Sequence, residues 1–223
     1  MGNFASWVAA RNKIDFYALI APFYDGLVGP FLRTVRKDIS MQAKIDGRRR
    51  VLEVACGTGE QAIMLARAGL DVTGVDHSGA MLKVARGKSP PTVSYVLGNA
   101  ENLPFEPEAF DCVSVSLSLH EMAYHTRIGV AVEMLRVLAP DGRLIVFDYA
   151  ASENTKFALA LGFLGILERI AGAEHFANFV RFTRMGGIGH FLKAFPLRTI
   201  TTRSYFLGAL QLIVAEKSPK EIT

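Results

Sequence analysis

Cysteine is scarce: Cys56 and Cys112 are the two in 223 residues. One sits in a glycine-rich turn and the other in a strand-like apolar run. Neither is placed as half of a disulfide, so a reducing, cytoplasmic setting is the expectation. No uninterrupted apolar stretch reaches the roughly 18 to 20 residues of a spanning helix. The N-terminus also lacks a basic segment leading into an apolar run and a cleavage site. The reading is a soluble chain, monomer or homodimer, with peripheral contact at a membrane surface left open. Charge of one sign is lacking too, since 25 Lys and Arg face 21 Asp and Glu for a net +4. No basic run is interleaved with aromatics, which argues against nucleic acid. His, Cys and carboxylates nowhere combine at metal-ligand spacing, so no metal is expected.

What the chain has is apolar mass: hydrophobic residues are 50% and charged residues 21%, with 15 Phe. That suits one α/β domain with a real core. The organising stretch is V-L-E-V-A-C-G-T-G, Val51 to Gly59. Val51, Leu52 and Val54 signal a buried strand, and the chain then narrows to Ala55, Cys56, Gly57, Thr58 and Gly59. Ala62, Ile63, Leu65 and Ala66 give a helical face that stops at Gly69. Strand, glycine turn and helix in that order build a backbone nest that approaches a ligand closely.

The pattern repeats. Strands are expected at about 50–55, 71–75, 93–97, 110–117 and 143–149, with helices at about 59–68, 79–86 and 126–138. Pro140, Asp141 and Gly142 mark the last turn. Alternation of this kind implies right-handed crossovers and a largely parallel sheet, with a ligand crevice beyond the C-terminal strand ends. Two further strands, about 199–206 and 209–216, pair as an antiparallel hairpin across Leu207 and Gly208.

Gly57, Gly59 and Ala62 fit the loose G-x-G-x-x-A dinucleotide pattern, and Asp76 follows at a distance suited to a ribose. Glu53 disagrees. A pyrophosphate seeks amides and a helix N-terminus without a carboxylate beside it. A ligand carrying an ammonium group and a positive centre would favour Glu53.

Further segments carry a resemblance: G-V-D at Gly74 to Asp76, G-N-A-E-N-L-P-F from Gly98, F-D-C-V from Phe110, L-H at Leu119 and His120, and R-V-L-A-P-D-G-R-L from Arg136. With Val51 to Gly59 they resemble, in order and spacing, the class I S-adenosylmethionine-dependent methyltransferases, and within them the ubiquinone/menaquinone-biosynthesis C-methyltransferases. The resemblance runs from about Arg50 to Tyr149 and is thinner at both ends. It implies a Rossmann-like sandwich: a seven-stranded, mostly parallel sheet with an antiparallel last strand, helices on both faces and an N-terminal helical lid. One domain is expected, with a cover at 1–47, a cofactor core at 48–150 and acceptor-side elements at 151–223.

The cofactor it implies is S-adenosylmethionine, with S-adenosylhomocysteine as product. Its methionine part would meet the turn Ala55, Cys56, Gly57, Thr58 and Gly59, with Glu53 near the ammonium. Asp76 would take the ribose hydroxyls while Ser78 caps the following helix. His77 and Met81 would flank the adenine, and Asn99, Ala100, Glu101 and Leu117 complete the set. Asn99 departs from the family's usual Asp and accepts without charge. Ala55 replaces a more usual glycine. His120, past the end of strand four, is the candidate general base, with Tyr124, His125 and Tyr149 as weaker ones. Two cysteines fall short of the several thiols used in arsenite methylation.

Toward the ends, residues Asn3 to Lys44 read as two or three helices broken at Pro22 and Pro30. Tyr17 and Tyr24 either line the acceptor pocket, alongside Tyr124 and Tyr149, or pack the helices onto the sheet. Arg33, Arg36, Lys37, Lys44 and Arg48 to Arg50 form a basic cluster that is either solvated or turned toward anionic headgroups or phosphate. Phe157 to Leu167 is apolar almost all round, with burial under Phe176 to Phe182 expected. Met185 to Phe191 reads as a mobile loop over the acceptor or as a tight bend. The acceptor is read as a small molecule or lipid, with a quinone precursor or a phospholipid amine favoured. A nicotinamide-dependent oxidoreductase and a non-catalytic S-adenosylmethionine-binding protein are the competing readings.

Overall fold

The computed structural model describes residues 32–47, 49–151, 169 and 172–218. The readings for Asn3 to Tyr24, Arg48 and Phe157 to Leu167 lie outside those residues. Helix α1 (residues 32–44) comes first. Then follow β1 (Arg50–Val54), α2 (Glu60–Arg67), β2 (Asp71–Asp76), α3 (Gly79–Lys88), β3 (Val93–Leu97), β4 (Phe110–Ser116), α4 (Tyr124–Val137) and β5 (Leu138–Tyr149). Helices α5 (Ala173–Arg184) and α6 (Gly187–Leu192) precede β6 (Leu197–Tyr205) and β7 (Leu210–Lys217).

The strands form one seven-stranded sheet in the order β3-β2-β1-β4-β5-β7-β6. The first five pair in parallel, and β7 runs antiparallel to both β5 and β6. Only β7 therefore opposes the sheet direction, as the resemblance implied. Central β1 is buried on both faces through Val51, Leu52 and Val54, as a parallel strand covered by helices should be. Each such side chain contributes roughly 1.5–3 kcal/mol of burial. Edge strand β6 is largely exposed and rich in Thr and Arg, a composition that resists pairing with other sheets.

Helix α1 buries Leu32, Val35, Ile39 and Ala43, a stripe at helical spacing. Gln61 Nε2 of α2 donates to Arg36 O and Ser40 Oγ of α1, both at 3.3 Å. Between those two residues on α1, Asp38 accepts from Tyr205 Oη at 2.5 Å. Helix α2 stops where expected, with Gly69 at φ 89.

One expectation changes, and one open alternative is decided. The helix before β5 is Tyr124–Val137, and β5 begins already at Leu138. Pro140 to Gly142 therefore lies within a register break between β4 and β5, where Phe110 pairs Leu138 and Cys112 pairs Arg143. Second, Met185 to Phe191 is a tight bend and not a mobile loop. Gly186 (φ 102) ends α5, and Gly187 (φ 60) starts α6. A Cβ on Gly187 would overlap the Ala150 backbone, so the glycine is what lets α6 lie against the end of β5. Residues 176–182, read from their phenylalanines as a cover, form the middle of α5, with Phe179 and Phe182 buried.

Candidate functional site

Strand order reverses between β1 and β4, and a cavity of about 380 Å³ opens at their C-terminal ends, where a doubly wound sheet binds its ligand. The turn after β1 supplies its floor. Ala55 (φ 53) and Gly57 (φ 53) are left-handed. At Ala55 that conformation costs roughly 1–2 kcal/mol, so the departure from glycine is felt in the backbone more than in the room a methyl needs. Gly59 (φ 79) is required for a different reason: a Cβ there would overlap the Tyr95 ring, which is held by Ser89 at 2.7 Å. Gly74 is equally close to Cys56 and Tyr95.

Asp76 ends β2 and is 7% exposed. Its two oxygens accept from Gly57 N and Ser78 N, each at 2.8 Å. Carboxylate and turn are thereby locked together, and each oxygen keeps a second lone pair for a ligand. Ser78 caps α3 by accepting from Met81 N, which leaves Asp76 free of that duty.

Glu53, one strand over, is 2% exposed. Its Oε2 has no hydrogen-bond partner among the described residues, and neither do Gln61 Oε1 and Ser116 Oγ, which line the same cavity. Burial pushes the Glu53 carboxyl up to about 7, while the Ser114 hydroxyl beside it and the Arg36 guanidinium pull it back down. A buried acid with an open valence, beside a strand-end carboxylate and a glycine turn, fits a ligand bearing an ammonium group and a ribose. Arg36, its side chain 11% exposed and 4.0 Å from Glu60, adds a cation suited to a carboxylate. Burial and the neighbouring Asp76 and Glu53 push the Cys56 thiol up, so it stays a neutral wall of the cavity.

Among the expected cofactor residues, Glu53, Ala55, Cys56, Gly57, Thr58, Asp76, His77, Met81, Asn99, Ala100 and Leu117 border the cavity. Gly59 and Glu101 do not. Gly59 is packed under Tyr95, and Glu101 lies over Gly129 of α4. Asn99 Oδ1 accepts from Glu101 N at 2.9 Å, so part of its acceptor capacity closes its own turn.

The acceptor-side expectations shift more. His120 is 3% exposed and does not border the cavity. Its Nδ1 lies 2.7 Å from Asp148 Oδ1, and its ring packs edge-on against Tyr149 and Phe179. Asp148, fully buried, also accepts from Leu119 N, His120 N and Tyr149 N. Buried Arg127 donates to the carbonyls of Leu119, His120 and Met122 and stacks on Phe182 at 4.3 Å. Both groups clamp the short turn Leu119–Glu121, and His120 faces inward as part of that clamp. Tyr149 is buried behind it, and Tyr124 is 47% exposed at the start of α4. None of these three borders the cavity.

Residues on the cavity that sequence reasoning passed over are Gln61, Ser116, Glu121, Thr126 and His175. His175 Nδ1 lies 3.3 Å from Glu121 Oε2. The basic cluster divides: Arg36 faces the cavity, whereas Arg50 pairs with Asp111 at 2.6 Å at the start of β1. That pairing holds the Asp111 carboxyl down at about 2. Among the described residues no helix is long and apolar enough to cross a membrane.

Comparison with known proteins agrees with this geometry. A family described as a methyltransferase domain matches residues 52–146. A demethylmenaquinone methyltransferase of Thermus thermophilus is 34% identical over 154 residues, 64% of this chain and 68% of that protein. Another, from Renibacterium salmoninarum, is 35% identical over 136 residues, 59% of this chain and 56% of its own length. The chain thus spans little more than half of that relative. The magnesium protoporphyrin IX methyltransferase of Synechocystis, solved with S-adenosylhomocysteine bound, shares the fold at a TM-score of 0.65 and 17% identity, covering 97% of this chain and 96% of that one.

Proposed function

The chain belongs to the class I S-adenosylmethionine-dependent methyltransferases, and from that premise we propose that it methylates a lipophilic acceptor, a quinone-precursor ring. The observation that carries the cofactor half is Glu53: a buried carboxylate with an open oxygen in the crevice, between the glycine turn and Asp76. A dinucleotide would bring pyrophosphate to that carboxylate, which weighs against the nicotinamide alternative. Glu53 is read as the partner of the cofactor's ammonium, Arg36 of its carboxylate and Asp76 of its ribose. His77 and Met81 flank the base, with Asn99 and Ala100 at its edge. When bound, S-adenosylmethionine supplies an electrophilic methyl group on a sulfonium. The chain's own task is then to align an acceptor and exclude water.

The acceptor half rests on the relatives' names and on the apolar wall formed by Leu117, Met122, Val130 and Phe147. A flat ring suits that wall better than a charged headgroup does. Calorimetric titration with S-adenosylmethionine, S-adenosylhomocysteine and NAD tests the first half, and binding of the first two alone is the expected result. Transfer of labelled methyl to reduced demethylmenaquinone, and not to phosphatidylethanolamine, is expected for the second. Binding without transfer to any acceptor would instead favour a non-catalytic cofactor-binding protein.

A further inference from the structure

We propose that Gln61 is a specificity-determining residue for the cofactor, accepting a hydrogen bond from its ammonium group through Oε1. This rests on the S-adenosylmethionine reading above and adds to it a residue beyond Glu53. Gln61 stands in the first turn of α2, is 5% exposed and borders the cavity. Its Oε1 is buried with no hydrogen-bond partner among the described residues. An amide oxygen in that state has given up water for nothing, a cost the fold recovers when a ligand supplies the donor.

Proton accounting fixes which way the amide faces. Ser40 Oγ donates its one proton to Arg36 O at 2.9 Å, so toward Gln61 it can only accept. Arg36 O, a carbonyl, can only accept as well. The group that Gln61 turns to both, at 3.3 Å each, is therefore its NH2. A reversed amide would set two carbonyl oxygens against each other with no proton between them. Both donors of Gln61 are thus spent on α1, and the oxygen left over can bind only a donor.

The same end of the cavity holds the other open acceptors, Glu53 Oε2 and Ser116 Oγ. Ser116 lies two residues beyond Ser114, the register partner of Glu53, and so on the same face of the sheet. Arg36, whose carbonyl holds Gln61, has its guanidinium close enough to Glu53 to pull that carboxyl down. A carboxylate alone would suit any cation. An amide oxygen and a hydroxyl beside it suit a cation with several protons to give, and an ammonium has three N–H donors. The sulfonium of the same cofactor has none.

The test is calorimetry on the full chain with S-adenosylhomocysteine and two adenosine thioethers. One carries a carboxypropyl arm and lacks the ammonium; the other carries an aminopropyl arm and lacks the carboxylate. Gln61→Leu is expected to weaken S-adenosylhomocysteine and the aminopropyl compound roughly 10- to 100-fold. The carboxypropyl compound is expected to stay within about threefold of wild type, so that the preference for the amino group collapses. Gln61→Met, equal in length to glutamine, is expected to repeat the pattern and serves where the leucine variant does not fold. Ser40→Ala removes one tie to α1 but keeps the amide oxygen, and is expected to hold the wild-type preference. Equal losses on all three ligands, or a loss confined to the two that carry a carboxylate, would overturn the proposal and leave Gln61 as a strut for α1 and Arg36. So would a Ser40→Ala variant that matches Gln61→Leu. Failure of the wild type to bind S-adenosylhomocysteine would instead overturn the cofactor reading beneath it.

Discussion

Two buried carboxylates sit on either side of the cavity and differ in every respect but burial. Glu53, on the β1 side, has an oxygen with no partner among the described residues. Asp148, behind the loop after β4, accepts from three backbone amides and lies against an imidazole. One is a group left open, the kind of cost a fold tolerates where a ligand is to bind. The other is committed wholly to the protein and makes a loop rigid. The cofactor side is therefore prepared by leaving valences unfilled, and the acceptor side by filling them.

Removing Asp148 should break this contrast hardest. Asp148→Ala strands three amides and a buried imidazole, and about 3–5 kcal/mol of stability should be lost, read by urea unfolding. The substitution Glu53→Gln should act in the opposite sense. The Glu53 carboxyl is raised in the folded protein from 4.5 to about 7. The native state therefore holds a proton that the unfolded chain has released. The stability this gives is complete below pH 4.5 and is lost as pH rises through about 7. Glu53→Gln lacks that loss, so its stability relative to wild type should grow by about 3 kcal/mol across that window and then level off. Unfolding in a pH series measures it. The same variant should bind S-adenosylmethionine more weakly above pH 7, where wild-type Glu53 is ionised.

Smaller substitutions sharpen the comparison. Ser78→Ala removes the α3 cap and should cost about 1 kcal/mol by thermal unfolding. It should leave cofactor affinity nearly unchanged, because the Asp76 contact to Gly57 survives. Asn99→Asp supplies the charge that the family resemblance leads one to expect there, and calorimetry should show tighter cofactor binding by under about 1 kcal/mol. The gain is small because the side-chain oxygen already serves Glu101 N.

The same division explains what could be read from sequence. Strand, turn and helix from Val51 to Arg67 lie next to one another in the chain, so residue types alone locate Glu53, Gly57 and the helix start. Asp76 and Ser78 follow from the next strand in the same way. The acceptor side depends on packing between distant segments. His120 and Glu121 are neighbours in a single short turn, and which of them faces the cavity is decided by Asp148 and Arg127, 28 and 7 residues from His120. His175 reaches the cavity because α5 is tied to that turn through Asn178. No periodicity in 173–184 marks it, since Phe176, Phe179 and Phe182 dominate the helix pattern. The turn at Met185 to Gly189 was half legible: its glycines announced a bend, but that the bend must pass against Ala150 is a tertiary fact.

The open oxygen of Glu53 has a consequence for proton stoichiometry. With burial holding the Glu53 carboxyl up at about 7, the cofactor-free protein keeps part of a proton in its crevice at neutral pH. An ammonium group entering beside it favours the ionised form, so loading the site expels that fraction into solvent. One positive charge enters as part of another leaves, and the crevice never carries the full change in charge. The heat of binding at pH 7 should therefore vary with the ionisation enthalpy of the buffer, and that dependence should shrink in Glu53→Gln.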